Sequence, residues 1–79
     1  MKILFTGASS FTGFWFVKTL AAVGHEIICP VTKNLSDYAN TRGQRIEKLK
    51  SFCQFIPRTT FGSEDFLNVI RENNFDLLC

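Results

Sequence analysis

The chain is poor in the residues from which catalytic and metal sites are usually built. It holds one histidine, one tyrosine and one tryptophan in 79 residues. The three cysteines, Cys29, Cys53 and Cys79, lack metal-ligand spacing, and His25 is the only histidine that could join them. A zinc-type cluster is therefore excluded, and metal ligands are expected nowhere. An odd cysteine count, with too few apolar residues before Thr6 for a secretion signal, predicts reduced thiols and a cytoplasmic protein. Charge of one sign is also scarce. The net charge of +2 is too small to argue for nucleic acid. Long hydrophobic runs are absent: Phe14 to Val23 is short and interrupted by Lys18, so no membrane span is expected. No Gly-Lys-Ser/Thr occurs, which excludes a P-loop. No aspartate ends the first or third apolar run, which argues against a phospho-accepting receiver domain. No paired carboxylates or nucleophile–base spacing stand out.

What the chain does have is a globular composition, 46% hydrophobic and 20% charged, with nine phenylalanines. Its length suits one small domain, in which folding buries about 60% of the unfolded chain's surface. The organising stretch is Thr6-Gly7-Ala8-Ser9-Ser10-Phe11-Thr12-Gly13. The apolar run Ile3-Leu4-Phe5 leads into it and a helix-length apolar stretch leads out. Strand, tight small-residue turn and helix in this order form the phosphate-binding opening of a Rossmann unit. Backbone N–H groups point outward from such a turn, and the helix start adds about half a positive charge. The backbone amides of Phe11 and Thr12, with the hydroxyl of Ser10, are the expected pyrophosphate donors.

In chain order, Lys2–Thr6 reads as a strand buried on both faces. Phe11–Val23 reads as a helix with Val17, Leu20, Ala21 and Gly24 toward the sheet, Gly13 on the same side, and Phe14 and Trp15 off it. Such exposed aromatics would pack under a loop or against another part of a larger protein. Gly24 caps the helix and His25 is a polar turn residue. Glu26–Val31 is the second strand, with Pro30 marking an edge or frayed end. Thr32–Asn40 is a loop. Thr41–Ser51 is a helix buried at Ile46 and Leu49, and Phe52–Ile56 is a strand ended by Pro57. Arg58–Gly62 is a loop. Ser63 caps a helix that opens on Glu64-Asp65 and buries Phe66, Leu67 and Ile70. Phe75–Cys79 begins a fourth strand. The alternation predicts an α/β fold: half of a three-layer Rossmann arrangement, a parallel sheet of about four strands in the order 3-2-1-4, with helices on both faces.

The opening stretch resembles the TGxxGxxG motif of the short-chain dehydrogenase/reductase superfamily, and most closely its extended branch, the NAD(P)-dependent epimerases and dehydratases of nucleotide sugars. Gly7 and Gly13 match the first and third glycines, and Ser10 stands at the middle one. That substitution leaves two readings open: Ser10 donates its hydroxyl to a phosphate oxygen, or it weakens the site. Gly24-His25-Glu26-Ile27-Ile28 resembles the turn into the family's second strand, and Phe75-Asp76-Leu77-Leu78 its fourth. The resemblance covers the whole chain but only the first part of the family's length. It implies that residues 1–79 are the N-terminal part of an NAD(P)-binding Rossmann domain. The family's catalytic Tyr-x-x-x-Lys pair is absent: the single tyrosine, Tyr38, is followed four residues later by Arg42 and lies too early, so this pairing reads as coincidence.

The resemblance implies a dinucleotide cofactor held by Gly7, Ser9, Ser10, Phe11, Thr12, Gly13, Thr32 and Lys33. NAD-using relatives carry an acidic residue at the end of the second strand. Here that place falls on Val31, followed by Thr32-Lys33, a hydroxyl and a cation suited to a 2′-phosphate. Six basic residues against two acidic ones between Thr32 and Arg58 form either a solvated face or a basic rim beside that phosphate. Arg42 and Arg45 lie within reach. The expected cofactor is NADP, with NAD the alternative. The expected function is a dinucleotide-binding segment, inactive by itself, of an epimerase, dehydratase or reductase. The other reading is a non-catalytic module that associates through an open sheet edge or through Phe14 and Trp15. An unpaired edge on the fourth strand predicts self-association.

Overall fold

The structure, a computed structural model, describes residues 1–60 and 62–79. Four strands, β1 (Lys2–Leu4), β2 (Glu26–Pro30), β3 (Gln54–Ile56) and β4 (Leu77–Leu78), form one sheet in the order β3-β2-β1-β4. All pairings are parallel: Ile3 lies opposite Ile27 and Leu77, and Cys29 opposite Phe55. Each connection is therefore a crossover through a helix. The helices are α1 (Phe11–Ala22), α2 (Asn40–Leu49) and α3 (Glu64–Glu72), and a single 3-10 turn, Leu35–Asp37, interrupts the β2–α2 connection. The expected sheet order and fold class are both present. The loop expected over Arg58–Gly62 includes Phe61, which lies outside the described residues.

The strands are shorter than expected, for local reasons. The ladder of β1 continues past its regular part, with the Phe5 amide donating to Ile28 O at 2.9 Å and the Thr6 amide to Cys79 O at 2.8 Å. Phe52 and Cys53 do not join β3, because both their amides still donate to the Leu49 carbonyl at the end of α2. Pro30 is neither at an edge nor frayed: it ends an interior strand opposite Ile56. Its ring nitrogen faces the β1 side, as the Ile28 amide does, and the register sets it against the Phe5 carbonyl, so the one ladder bond forgone is the last of the β1–β2 pairing, at the end of the strand.

The core lies between α1, α2 and one face of the sheet. Phe14, Val17, Ile27, Cys29, Leu49 and Ala8 form one buried cluster, with Leu20, Ala21, Phe5, Cys53 and Phe55 packed around it. Phe14 is therefore a core residue, not an exposed aromatic as its assigned face implied. It sits three residues before Val17 and seven before Ala21, on their stripe. Trp15 does face outward, half exposed, with its ring edge-on to Phe14 at 5.3 Å and the Lys18 ammonium 5.2 Å from its centroid. Ile46 is buried as expected. Alternation along β1 and β2 turns Leu4 and Ile28 to the opposite face, on the side of the α3 crossover, and both are buried.

Helix ends match their sequence signals. Gly24 follows the Val23 cap of α1 with a φ of +99°, and the His25 amide donates to Leu20 O at 3.2 Å while the Gly24 amide donates to Ala21 O at 3.0 Å. These are the paired bonds of a Schellman ending. Ser63 caps α3 by accepting from the Phe66 amide at 3.2 Å. None of the α3 side chains is fully buried, and Leu67 is exposed.

Candidate phosphate-binding loop and its cleft

The loop between β1 and α1 is closed by hydrogen bonds to itself. Gly7 has a φ of +78°, a backbone shape that strains residues with a side chain. Its carbonyl then accepts from both the Ser10 amide at 3.1 Å and the Ser10 hydroxyl at 2.7 Å. Ser10 is the N-cap of α1, and its Oγ accepts from the Gly13 amide at 3.0 Å. The Ser10 hydroxyl therefore has its proton on Gly7 and a lone pair on Gly13. It does not point outward as a phosphate donor; its work is inside the loop.

Gly13 is buried against the start of the loop. A Cβ built on it would overlap the Gly7 carbonyl oxygen and lie 2.9 Å from Ser10 Oγ. Only glycine lets helix and loop approach this closely. The Ser10 cap and the Gly13 contact together leave the amides of Phe11 and Thr12 without a protein acceptor among the described residues. Two first-turn N–H groups at the positive end of α1 thus face outward, the arrangement that suits an anion.

Ser9 is the buried member of the loop, 6% exposed. Two arginines of α2 converge on it: Arg42 Nη1 donates to Ser9 Oγ at 2.9 Å, and Arg45 Nη1 to the Ser9 carbonyl at 3.1 Å. The Arg45 guanidinium also lies over the Phe11 ring, 5.6 Å from its centroid. Arg42 and Arg45 stand three residues apart on one helix face, so a helix that starts at Asn40 delivers both to the same loop.

A cleft of about 480 Å³ opens between the loop and the end of β2. Gly7, Ala8 and Ser9 form one wall; Val31, Thr32 and Lys33 form another; Asp37, Tyr38 and Arg42 close the far side. Thr32 and Lys33 are exposed at its rim, and the Lys33 ammonium sits 5.7 Å from the Tyr38 ring. Of the residues expected to bind a cofactor, Gly7, Ser9, Thr32 and Lys33 line this cleft. Ser10 and Gly13 shape the loop instead, while Phe11 and Thr12 do not line the cleft and border a separate surface hollow with Trp15, Phe16 and Thr19. Sequence reasoning missed Asp37, which brings a carboxylate to the same cleft. The short Leu35–Asp37 turn folds it back, and a polar stretch gave no sign of that turn.

Elsewhere, Cys29 is buried beside Cys53, and no disulfide joins the three cysteines. The Cys53 thiol and burial hold the Cys29 thiol far above its usual range, while the hydrogen bond from Cys29 lowers Cys53. Among the described residues, no His, Cys, Asp and Glu side chains group in a way that could hold a metal ion. No helix among them is long and apolar enough to cross a membrane.

Neither a family model nor a curated protein matches the sequence. Solved structures do match its fold. UDP-glucuronic acid 4-epimerase from Bacillus cereus in complex with NAD superposes with a TM-score of 0.74 at 25% identity over 99% of this chain. A mutant of that enzyme, with UDP-4-deoxy-4-fluoro-glucuronic acid and NAD, gives a TM-score of 0.76 at 23% identity over 99% of this chain. The chain spans 25% of the length of each of these structures. The neighbours of this fold are thus NAD-binding epimerase chains, in agreement with the resemblance of the opening motif.

Proposed function

We propose that residues 1–79 are the N-terminal part of an NAD(P)-binding Rossmann domain of the extended short-chain dehydrogenase/reductase type. In this reading the chain binds a dinucleotide and has no catalytic activity by itself. One observation carries it: the Ser10 cap and the Gly13 contact turn the Phe11 and Thr12 amides outward at a helix start, beside a cleft rimmed by cations. The pyrophosphate meets those two amides. Gly7 and Gly13 give the backbone its close approach, Ser10 braces the loop, and Ser9 lines the cleft. The adenosine half lies toward Thr32 and Lys33. The larger protein to which such a segment belongs acts as an epimerase, dehydratase or reductase on a nucleotide sugar. Its expected compartment is the cytoplasm, where the cysteines stay reduced.

The cofactor in this reading is NADP in preference to NAD. Val31 offers no carboxylate to the ribose, whereas Lys33 and Arg42 place two cations on the cleft and Thr32 a hydroxyl. One observation favours NAD instead: Asp37 lines the same cleft, and a carboxylate there accepts from ribose hydroxyls and repels a 2′-phosphate. Two cations to one carboxylate leave the balance with NADP. The alternative of a protein-association module through Phe14 and Trp15 is weakened, because Phe14 lies in the core.

The test is calorimetric titration of the chain with NADP and with NAD, repeated on Lys33→Ala. Tighter NADP binding that loses its margin in the variant supports the reading. Equal affinities in the parent, or an unchanged ratio in the variant, remove the NADP preference. Binding of neither nucleotide, together with a concentration-dependent oligomer, favours the association module.

A further inference from the structure

Arg45 has no evident place in the cleft. It lies outside the walls formed by Gly7 to Ser9 and Val31 to Lys33, on the side of α2 where Phe11, Phe14 and Trp15 are its neighbours. Yet its guanidinium reaches the phosphate loop, and it does so through the main chain. It donates to the carbonyl of Ser9 at 3.1 Å while lying over the ring of Phe11. Phe11 is 66% exposed, and a ring at that exposure is not there to fill the core. Arg42, one turn earlier, uses the Ser9 side chain instead.

We infer that Arg45 is a positioning residue for diphosphate binding, holding the Ser9 carbonyl away from the mouth of the loop, with Phe11 as the seat that orients its guanidinium. This rests on the dinucleotide reading above and adds to it a residue that touches no part of the ligand. The physical argument is one of dipole direction. The anion site consists of N–H groups, those of Phe11 and Thr12. A peptide carbonyl two residues earlier that swung toward the same mouth would set a partial negative charge against the phosphates. The charge-assisted bond from Arg45 fixes that carbonyl toward α2. The opposite end of that same peptide is fixed as well, since the Ser10 amide donates to Gly7 O at 3.1 Å. The planar guanidinium can donate to the carbonyl and lie flat on Phe11 at once, which an ammonium cannot. Helix α2 thus couples the adenosine side of the cleft to the pyrophosphate loop.

The role predicts a split between ligands. ADP needs the loop; adenosine does not. Affinities for both are measured on the full chain by NMR chemical-shift titration, alongside the melting temperature, for the parent, Arg45→Met, Arg45→Lys and Phe11→Leu. The expected result is a loss of roughly tenfold in ADP affinity for Arg45→Met, the equivalent of one charge-assisted hydrogen bond. Adenosine affinity stays unchanged, and the melting temperature moves no more than for an ordinary surface substitution. Arg45→Lys recovers only part of the loss, and Phe11→Leu shows a smaller loss of the same kind. An unchanged ADP affinity in Arg45→Met overturns the inference and leaves the dinucleotide reading standing. A joint fall of ADP affinity, adenosine affinity and melting temperature also overturns it, because Arg45 would then serve the fold alone. A parent that binds neither ligand removes the dinucleotide reading, and this inference with it.

Discussion

Gly13 rests on the carbonyl of Gly7, so closely that a Cβ on Gly13 would overlap the oxygen and stand 2.8 Å from the carbonyl carbon. The neighbour is backbone, so no side chain can swing aside. The same carbonyl takes the Ser10 hydroxyl and amide, so moving it would break both bonds. Helix α1, the loop and β1 meet at this one contact.

Replacing Gly13 with alanine should therefore strain the whole unit. Overpacking against rigid backbone costs about 3 kcal/mol, and in a domain of this size that lowers the melting temperature by more than roughly 10 °C. Gly13→Leu should be worse still. Thermal unfolding followed by circular dichroism checks this, and a Gly13→Leu variant that melts with the parent would refute the packing role.

Ser10 stands where related motifs carry glycine, and its cap makes the cost of losing it specific. Ser10→Ala leaves the Gly13 amide without its acceptor and should cost about 1 kcal/mol, whereas Ser10→Gly should cost only a few tenths. Urea denaturation of the two variants ranks them. Ser10→Gly should also retain dinucleotide binding, because in the function proposed above the phosphates meet the Phe11 and Thr12 amides. If Ser10→Gly bound ADP much more weakly than the parent, the hydroxyl would be a direct phosphate donor after all.

The loop was legible from the sequence because its signals are local: glycines at fixed offsets, small residues between them, apolar runs on either side. The parallel sheet followed from the alternation, and its order from the doubly wound pattern that the opening motif resembles. What stayed hidden depends on long-range packing. Phe14 lies on the stripe of Val17 and Ala21, but a helix with aromatics on several faces hides which one turns inward. The convergence of Arg42 and Arg45 on Ser9 needs a helix 33 to 36 residues away to dock at one rotation, and no spacing rule carries that. Asp37 reaches the cleft through a short 3-10 turn whose sequence is ordinary loop.

The thiols make a second chemical test of the packing. Cys79 is exposed, Cys53 partly buried and Cys29 fully buried. A disulfide reagent should label Cys79 first and Cys29 only on unfolding. Because the folded state holds the Cys29 pKa far above its ordinary 9.0, the unfolded chain releases this proton at a pH where the folded chain keeps it. Stability from Cys29 is then fully present below about pH 9 and falls as pH rises above it. Cys29→Ala should flatten that alkaline slope. A slope identical in parent and variant would show that other groups produce it.

Leu77 and Leu78 of β4 are 42% and 56% exposed on an outer strand of the sheet. Exposed apolar edges recruit further strands. The 79-residue chain should therefore self-associate as its concentration rises, and Leu78→Lys should shift it toward monomer. Sedimentation velocity over a range of concentrations reads this directly, and a clean monomer at the highest concentration would count against it.

The charges around the cleft give the sharpest test of cofactor choice, because they pull in opposite directions within one cleft. Lys33 and Asp37 both line it. If the 2′-position of the ribose sits between them, Lys33→Ala should lower the ratio of NADP to NAD affinity, and Asp37→Asn should raise it. Both residues are exposed, so each effect should be near the upper range for surface charges, about 1 kcal/mol or roughly fivefold. Salt separates this from a change of shape. At 1 M ionic strength the screening length falls to about 3 Å, and both shifts should shrink together. A shape effect would persist. Movement of the two variants in the same direction would mean that the ribose lies elsewhere in the cleft, since opposite charges beside one phosphate cannot act alike.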